Sequence, residues 1–127
     1  MAVTIQTLQE RKANQEKFSC LTAYDATFAS LLSARGIDLI LVGDSLGMVL
    51  QGKESTVPVS MDDMVYHTEC VARGKPQSLI MADMPFMSYA TNETSMANAA
   101  RLMQAGAQMV KLEGTDWMAD TIHRLSE

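Results

Sequence analysis

The chain has few cysteines, no basic cluster, no long apolar run and no low-complexity tract, and each absence removes a class of protein. Its two cysteines, Cys20 and Cys70, have no metal-type spacing. They read as free thiols of a cytoplasmic protein rather than as a disulfide framework. Ten basic residues against fifteen acidic ones leave a net charge of −5. With no basic patch, neither nucleic acid nor an anionic membrane surface is an expected partner. No apolar run is long enough to span a bilayer, and the opening MAVTIQTLQERKANQEK is polar and of mixed charge, without the apolar core of a signal peptide. What remains is 127 residues, 47% hydrophobic and 20% charged, enough for one packed domain. The eleven methionines read most simply as gap-fillers of its core.

A strand–helix rhythm runs along the whole chain. A leading helix is expected over residues 4–16. Strand-like runs follow at 18–24 (FSCLTAY), 38–43 (DLILVG), 78–85 (SLIMADMP) and 109–114 (MVKLEG). Each precedes a helical stretch. The first runs from Asp25 to Arg35, with Phe28, Leu31 and Leu32 on one face and Gly36 as a stop. The second begins after Ser60, with Asp63 placed for a capping box. The third starts near Thr91 and carries Met96, Ala99, Ala100 and Met103 at helical spacing before Gly106. The fourth covers the last residues, with Met118, Ile122 and Leu125 on one stripe. Residues 44–60 are rich in Gly, Ser, Thr and Pro and read as a long loop.

Repeated βα units form either an open parallel sheet or part of a (β/α)₈ barrel. The strand faces favour the barrel. Lys111 and Glu113 share one face of the fourth strand, and Val110 and Leu112 the other; Met81 pairs with Asp83, and Val42 with Asp44, in the same way. Polar residues on one face only suit a barrel with a site inside, whereas doubly wound sheets are apolar on both faces. The expected architecture is a leading helix plus four βα units, one domain over residues 1–127, half of a TIM-type barrel.

Asp44, Asp83 and Glu113 each end a strand-like run. Any one of them alone reads plainly as a turn or cap residue. Three carboxylates at converging strand ends repel one another unless a cation sits among them, and Mg²⁺ is the hard ion that oxygen ligands suit. Lys111, two residues before Glu113 on the same face, reads either as a structural ion-pair partner or as the cation that receives a substrate carboxylate. Ser45 is read as a ligand-contacting hydroxyl. It also sits in Gly43-Asp44-Ser45-Leu46-Gly47, which fits the G-x-S-x-G nucleophile elbow. A serine hydrolase needs a histidine base, and His67 and His123, the chain's two histidines, both fall within helices. Asp25 reads as a cap, Tyr24 as a pocket-lining side chain, and Trp117 as helix packing.

Several motifs together resemble ketopantoate hydroxymethyltransferases (3-methyl-2-oxobutanoate hydroxymethyltransferases). They are Leu21-Thr22-Ala23-Tyr24-Asp25, Leu41-Val42-Gly43-Asp44-Ser45-Leu46-Gly47, Tyr66-His67-Thr68, Asp83-Met84-Pro85-Phe86, Ala105-Gly106-Ala107 and Val110-Lys111-Leu112-Glu113-Gly114. The resemblance spans nearly the whole chain, in order. It implies a cytoplasmic homo-oligomer, a decamer in the bacterial family, built on a (β/α)₈ barrel. The implied reaction moves a one-carbon unit from 5,10-methylenetetrahydrofolate to 3-methyl-2-oxobutanoate, on the route to pantothenate and coenzyme A. It further implies Asp44, Asp83 and Glu113 as the Mg²⁺ ligands, and Asp44, Ser45, Asp83 and Lys111 as the 2-oxoacid contacts. In such a site the oxoacid chelates Mg²⁺, and the metal stabilises the enolate formed when C3 loses its proton.

A full barrel needs about 250 residues, so the chain corresponds to half of one. The glutamate base and the histidine that the family uses after the fifth strand have no counterpart here. The expectation is a truncated piece, inactive alone, whose open strand edges drive self-association. A Mg²⁺-dependent 2-oxoacid C–C lyase or mutase of the isocitrate lyase type, also a barrel, is the alternative within the same chemistry.

Overall fold

A computed structural model describes all residues from Met1 to Glu127. Helix α1 (Ile5–Ala13) precedes four repeats of strand and helix: β1 (Cys20–Thr22) and α2 (Ala26–Ala34); β2 (Leu39–Val42), with a short α3 (Leu46–Val49) and then α4 (Met61–Arg73); β3 (Leu79–Asp83) and α5 (Asn92–Gln104); β4 (Met109–Lys111) and, after a 3₁₀ turn at Asp116–Met118, α6 (Ala119–Ser126). The strands form one parallel sheet in the order β1-β2-β3-β4.

Helices α1, α2, α4 and α5 start where the sequence supplies caps. Asp25 accepts the Phe28 N–H at 2.8 Å, and Ser60 and Asp63 exchange hydrogen bonds at 3.0 Å in a capping box. Thr91 accepts the Thr94 N–H at 3.2 Å. These side chains satisfy N–H groups that the first helical turn leaves without partners. Helix α3 lies inside the stretch expected to be loop; at four residues it is too short to show a helical period.

Because parallel crossovers are right-handed, a strand order that never reverses places every connecting helix on the same side. The packing follows that rule. Ala23, Ile40, Val42, Ile80 and Ala82 point to one side and form the main core with Ala29, Met64, Val71, Ala99 and Leu102 of the helices. Leu39, Leu41, Leu79, Met81 and Met109 occupy the other face, where Leu8 of α1 and Val3 just before it pack against them. An ion pair between Arg11 and Asp38 at 2.9 Å holds α1 there. Asp38 directly precedes β2, so α1 covers the end of the sheet opposite the strand-end acids. Two apolar clefts of about 650 and 760 Å³ share Ile5, Met81 and Met109 of this face, and the first continues past the outer edge of β4 to Met103, Ile122 and Leu125 of α5 and α6.

The alternation read for β3 holds. Strand β4 ends at Lys111, and Glu113 beyond it still reaches the Lys111 side. The reading for β2 fails. Val42 is fully buried on the helix side, whereas Asp44 lies beyond the strand end. The chain turns after Gly43, so the two-residue period no longer applies. The helix stripes hold in part. Leu32, Ala99, Met118 and Leu125 face the core as expected, but Phe28 (57% exposed), Leu31, Met96, Met103 and Ile122 do not, and Ala29, Ser95, Leu102 and Thr121 face inward instead. Small residues face the core because the elements sit close: a β-carbon on Gly74 would lie 2.6 Å from the Ala26 carbonyl oxygen. Gly106 carries both constraints of its kind, a φ of +115° and a β-carbon position 2.5 Å from Ala72 Cβ. Gly106→Ala is expected to lower unfolding stability by about 1–3 kcal/mol, read as a shift in the urea midpoint at unchanged slope.

Candidate functional site

The cleft at the downstream ends of the strands is small, about 230 Å³, and polar for its size; Asp44, Thr56, Asp83, Met84, Phe86, Tyr89, Lys111, Leu112 and Glu113 line it. Register explains the convergence. Asp83 and Lys111 are cross-strand partners in the β3–β4 ladder, so their side chains rise on the same face. Asp83 is the buried member, at 6% exposure. Its Oδ2 accepts the Asp44 backbone N–H at 2.9 Å, which fixes the turn after β2. Its Oδ1 faces Lys111 Nζ at 3.3 Å as an ion pair but receives no aligned hydrogen bond. Lys111 instead donates to exposed Glu113 at 2.7 Å.

Electrostatics follow from this crowding. Burial, then the negative charge of Asp83, pushes the Asp44 carboxyl above its ordinary value; Glu113 adds to the push and Lys111 opposes it. The hydrogen bond to Glu113 holds the Lys111 ammonium on, raising its pKa against the effect of burial, with the Asp83 charge helping. The same hydrogen bond pulls Glu113 down.

The site therefore brings together Asp44, Asp83, Lys111 and Glu113. As they stand, no three Asp, Glu, His or Cys side chains are gathered closely enough to hold a metal ion, and Lys111 is the positive charge among the acids. The donor set nevertheless suits a hard divalent cation on two counts. Asp83 Oδ1 is a buried carboxylate oxygen without an aligned hydrogen-bond donor, and Asp44 is raised by its burial and by the Asp83 charge beside it, which Lys111 only partly offsets. Both are relieved by a cation.

The raised Asp44 sets a pH dependence. A carboxylate must be deprotonated to bind a metal, so Mg²⁺ affinity is expected to fall on acidification at a pH above that of an ordinary Asp. Without metal the sign for stability is the reverse. A carboxyl raised in the folded state contributes stability below its unfolded pKa and loses it as pH rises through the folded one. Mg²⁺ titrations followed by thermal melting across pH 4–7 check both signs, and Asp44→Asn should remove the Asp44 component of each.

Ser45 follows Asp44 in the chain but does not line the cleft; it is partnered by Tyr24, the two hydroxyls lying 2.9 Å apart. No histidine bonds Ser45. His67 Nδ1 lies 2.9 Å from the Tyr24 carbonyl oxygen, and His123 is exposed on α6. The base that a hydrolase elbow requires is absent from Ser45. Asp25 is a cap, as expected. Trp117 is 62% exposed and does not pack as expected; it lies in the 3₁₀ turn before α6, where only Met118 turns inward. Gly43 was missed as a site residue, though its place between strand and acid was the signal. A β-carbon there would lie 3.2 Å from Ser45 Oγ and 3.4 Å from Asp83 Oδ2. Gly43→Ala should keep the fold yet weaken cation binding several-fold by displacing these groups, measurable by calorimetry.

A sequence model of the family described as "Ketopantoate hydroxymethyltransferase" matches residues 2–127. The chain is 68% identical over its full length to a 3-methyl-2-oxobutanoate hydroxymethyltransferase of Marinobacter nauticus, covering 48% of that protein. It is 59% identical over 98% of its length to the protein of the same name from Shewanella sediminis, covering 47% of it. The chain thus spans about half the length of these curated relatives. Among solved structures, 2,3-dimethylmalate lyase, a PEP mutase/isocitrate lyase superfamily member, superposes with a TM-score of 0.63 at 17% identity, over 87% of this chain and 38% of that one. At that identity the likeness is one of fold.

Proposed function

Since the chain belongs to the ketopantoate hydroxymethyltransferase family, we propose that its strand-end cleft binds 3-methyl-2-oxobutanoate, the acceptor of a one-carbon unit carried by 5,10-methylenetetrahydrofolate. The observation that carries this reading is a protonated Lys111 set between Asp83 and Glu113, beside a carboxylate oxygen that lacks an aligned donor. An ammonium so placed is an anchor for the carboxylate of a small 2-oxoacid. Asp44, Asp83 and Glu113 would hold Mg²⁺. The chemistry it would supply when bound is Lewis-acid polarisation of the 2-oxo group, which acidifies the neighbouring C3–H.

The chain's own residues bind and orient. Lys111 offsets the substrate carboxylate, Ser45 offers a hydroxyl next to Asp44, and the Asp83 bond to the Asp44 N–H keeps the turn in place. None of the four charged groups of the cleft is left as a free base. Lys111 is held protonated, and the three carboxylates would be committed to the cation. The proton at C3 is therefore taken by a group outside this cleft, and the 127-residue chain is expected to bind without turnover. The single-sided helix packing supports a sector of a (β/α)₈ barrel. The outer edges of β1 and β4, unpaired within the sheet, support self-association.

NMR of 3-methyl-2-oxobutanoate in D₂O tests the reading. Line broadening that requires both the chain and Mg²⁺ is expected, with no deuterium uptake at C3. Absence of binding by the unmodified chain would overturn the substrate assignment, and catalysed exchange would show that the cleft does contain its base.

A further inference from the structure

Ser45 is a residue of the type that caps helices, and it stands at the N-cap of α3, yet its side chain makes no capping bond. Its oxygen lies instead 2.9 Å from the Tyr24 phenol, across 21 residues of sequence. Tyr24 is itself held twice. Its ring is partly buried against the main core, and its carbonyl oxygen meets His67 Nδ1 of α4 at 2.9 Å. A carbonyl only accepts, so Nδ1 carries the hydrogen and the histidine donates. The His67 ring also stands edge-on to Tyr24, at 86° and 6.4 Å between centroids. A half-buried tyrosine fixed at backbone and ring is a rigid post for a hydroxyl that would otherwise rotate.

We infer that Tyr24 is a positioning residue. Its phenol donates to Ser45 Oγ, so the Ser45 hydrogen is left to point toward the cleft, and His67 fixes the Tyr24 backbone. A hydroxyl that accepts from one side becomes the better donor on the other. Ser45 Oγ and Asp83 Oδ2 flank Gly43, at 3.2 and 3.4 Å from the position a β-carbon would take, so a hydrogen directed from Ser45 enters beside the acids. The recipient is an anionic oxygen of the ligand. This last step rests on the 2-oxoacid reading above, while the orientation of Ser45 does not.

The test has two arms on the 127-residue chain. The first needs no ligand. Hα–Hβ couplings of Ser45 should report a single rotamer in the unmodified chain and rotamer averaging in Tyr24→Phe, with the melting temperature nearly unchanged. The second measures 3-methyl-2-oxobutanoate affinity with Mg²⁺. Tyr24→Phe and Ser45→Ala should each weaken it about three- to tenfold, the range of one hydrogen bond. The double variant should be no weaker than Ser45→Ala alone. A Ser45 rotamer that averages in the unmodified chain, or does not respond to Tyr24→Phe, overturns the inference, as does an additive double variant. A rotamer that responds in a chain that does not bind the oxoacid leaves Tyr24 as the post and removes the substrate reading instead.

Discussion

Asp83→Ala is expected to reduce Mg²⁺-dependent binding of 3-methyl-2-oxobutanoate by roughly 100-fold or more, the largest effect of any single change in the cleft. Three roles are lost together. The Asp44 N–H loses its acceptor at 2.9 Å, so the turn after β2 is released. Lys111 loses its buried counter-charge at 3.3 Å. The cation loses the one ligand oxygen that is buried and free of aligned hydrogen-bond donors. Each charged hydrogen bond accounts for about 1.5–3 kcal/mol, and tenfold in affinity corresponds to about 1.4 kcal/mol. Asp83→Asn separates the roles, because its amide oxygen still accepts the Asp44 N–H while the charge is gone. Calorimetry on the two variants, with the Asp44 amide shift as a marker of the turn, distinguishes a structural acid from a functional one. The asparagine variant should keep the amide shift and lose cation binding. If it binds Mg²⁺ and the oxoacid within about threefold of the unmodified chain, a range small against the predicted loss, Asp83 is a turn fastener and the metal reading fails.

The elements and the strand-end acids were legible in the sequence because each is a short-range consequence of local chemistry. Ser60 and Asp63 spell a capping box that forms as spelled. Lys111 ends β4 and Glu113 follows two residues later, close enough in sequence for the two side chains to bond. Legibility stopped where position depends on something distant. Helical spacing in α2 and α5 offers overlapping apolar stripes, and the period does not say which of them meets the sheet. In α2 Ala29 turned inward and Phe28 outward, and in α5 the expected stripe split, with Ala99 inward and Met96 outward. The strand period gave Asp83 correctly because it is the last paired residue of β3. It misplaced Val42 relative to Asp44, because the ladder ends between them. The Tyr24–Ser45 bond joins two separate turns, and no spacing rule connects those positions.

Lys111→Met should move two affinities in opposite directions. Methionine keeps much of the length and apolar stem of lysine and removes its charge, so Asp44, Asp83 and Glu113 are left without a cation of their own. Mg²⁺ alone should then bind several-fold more tightly, while 3-methyl-2-oxobutanoate at saturating Mg²⁺ should bind about 10- to 100-fold more weakly, since a charged contact to its carboxylate is gone. Metal-free stability should fall by about 1–2 kcal/mol at neutral pH, a figure discounted for the solvent that reaches the Lys111 side chain. The alkaline limb carries the sign. A lysine whose pKa is raised in the folded state contributes stability that is complete below its unfolded value, near 10.5, and that disappears as pH rises through the folded value. Melts across pH 8–12 should therefore show a loss in the unmodified chain that the variant lacks. Lys111→Arg preserves the charge and should recover most of the stability but less of the oxoacid affinity, because a planar fork does not sit where a point charge sat. If oxoacid binding at saturating Mg²⁺ is the same in Lys111→Met as in the unmodified chain, the lysine merely balances the acids. The substrate carboxylate must then be received elsewhere in the cleft.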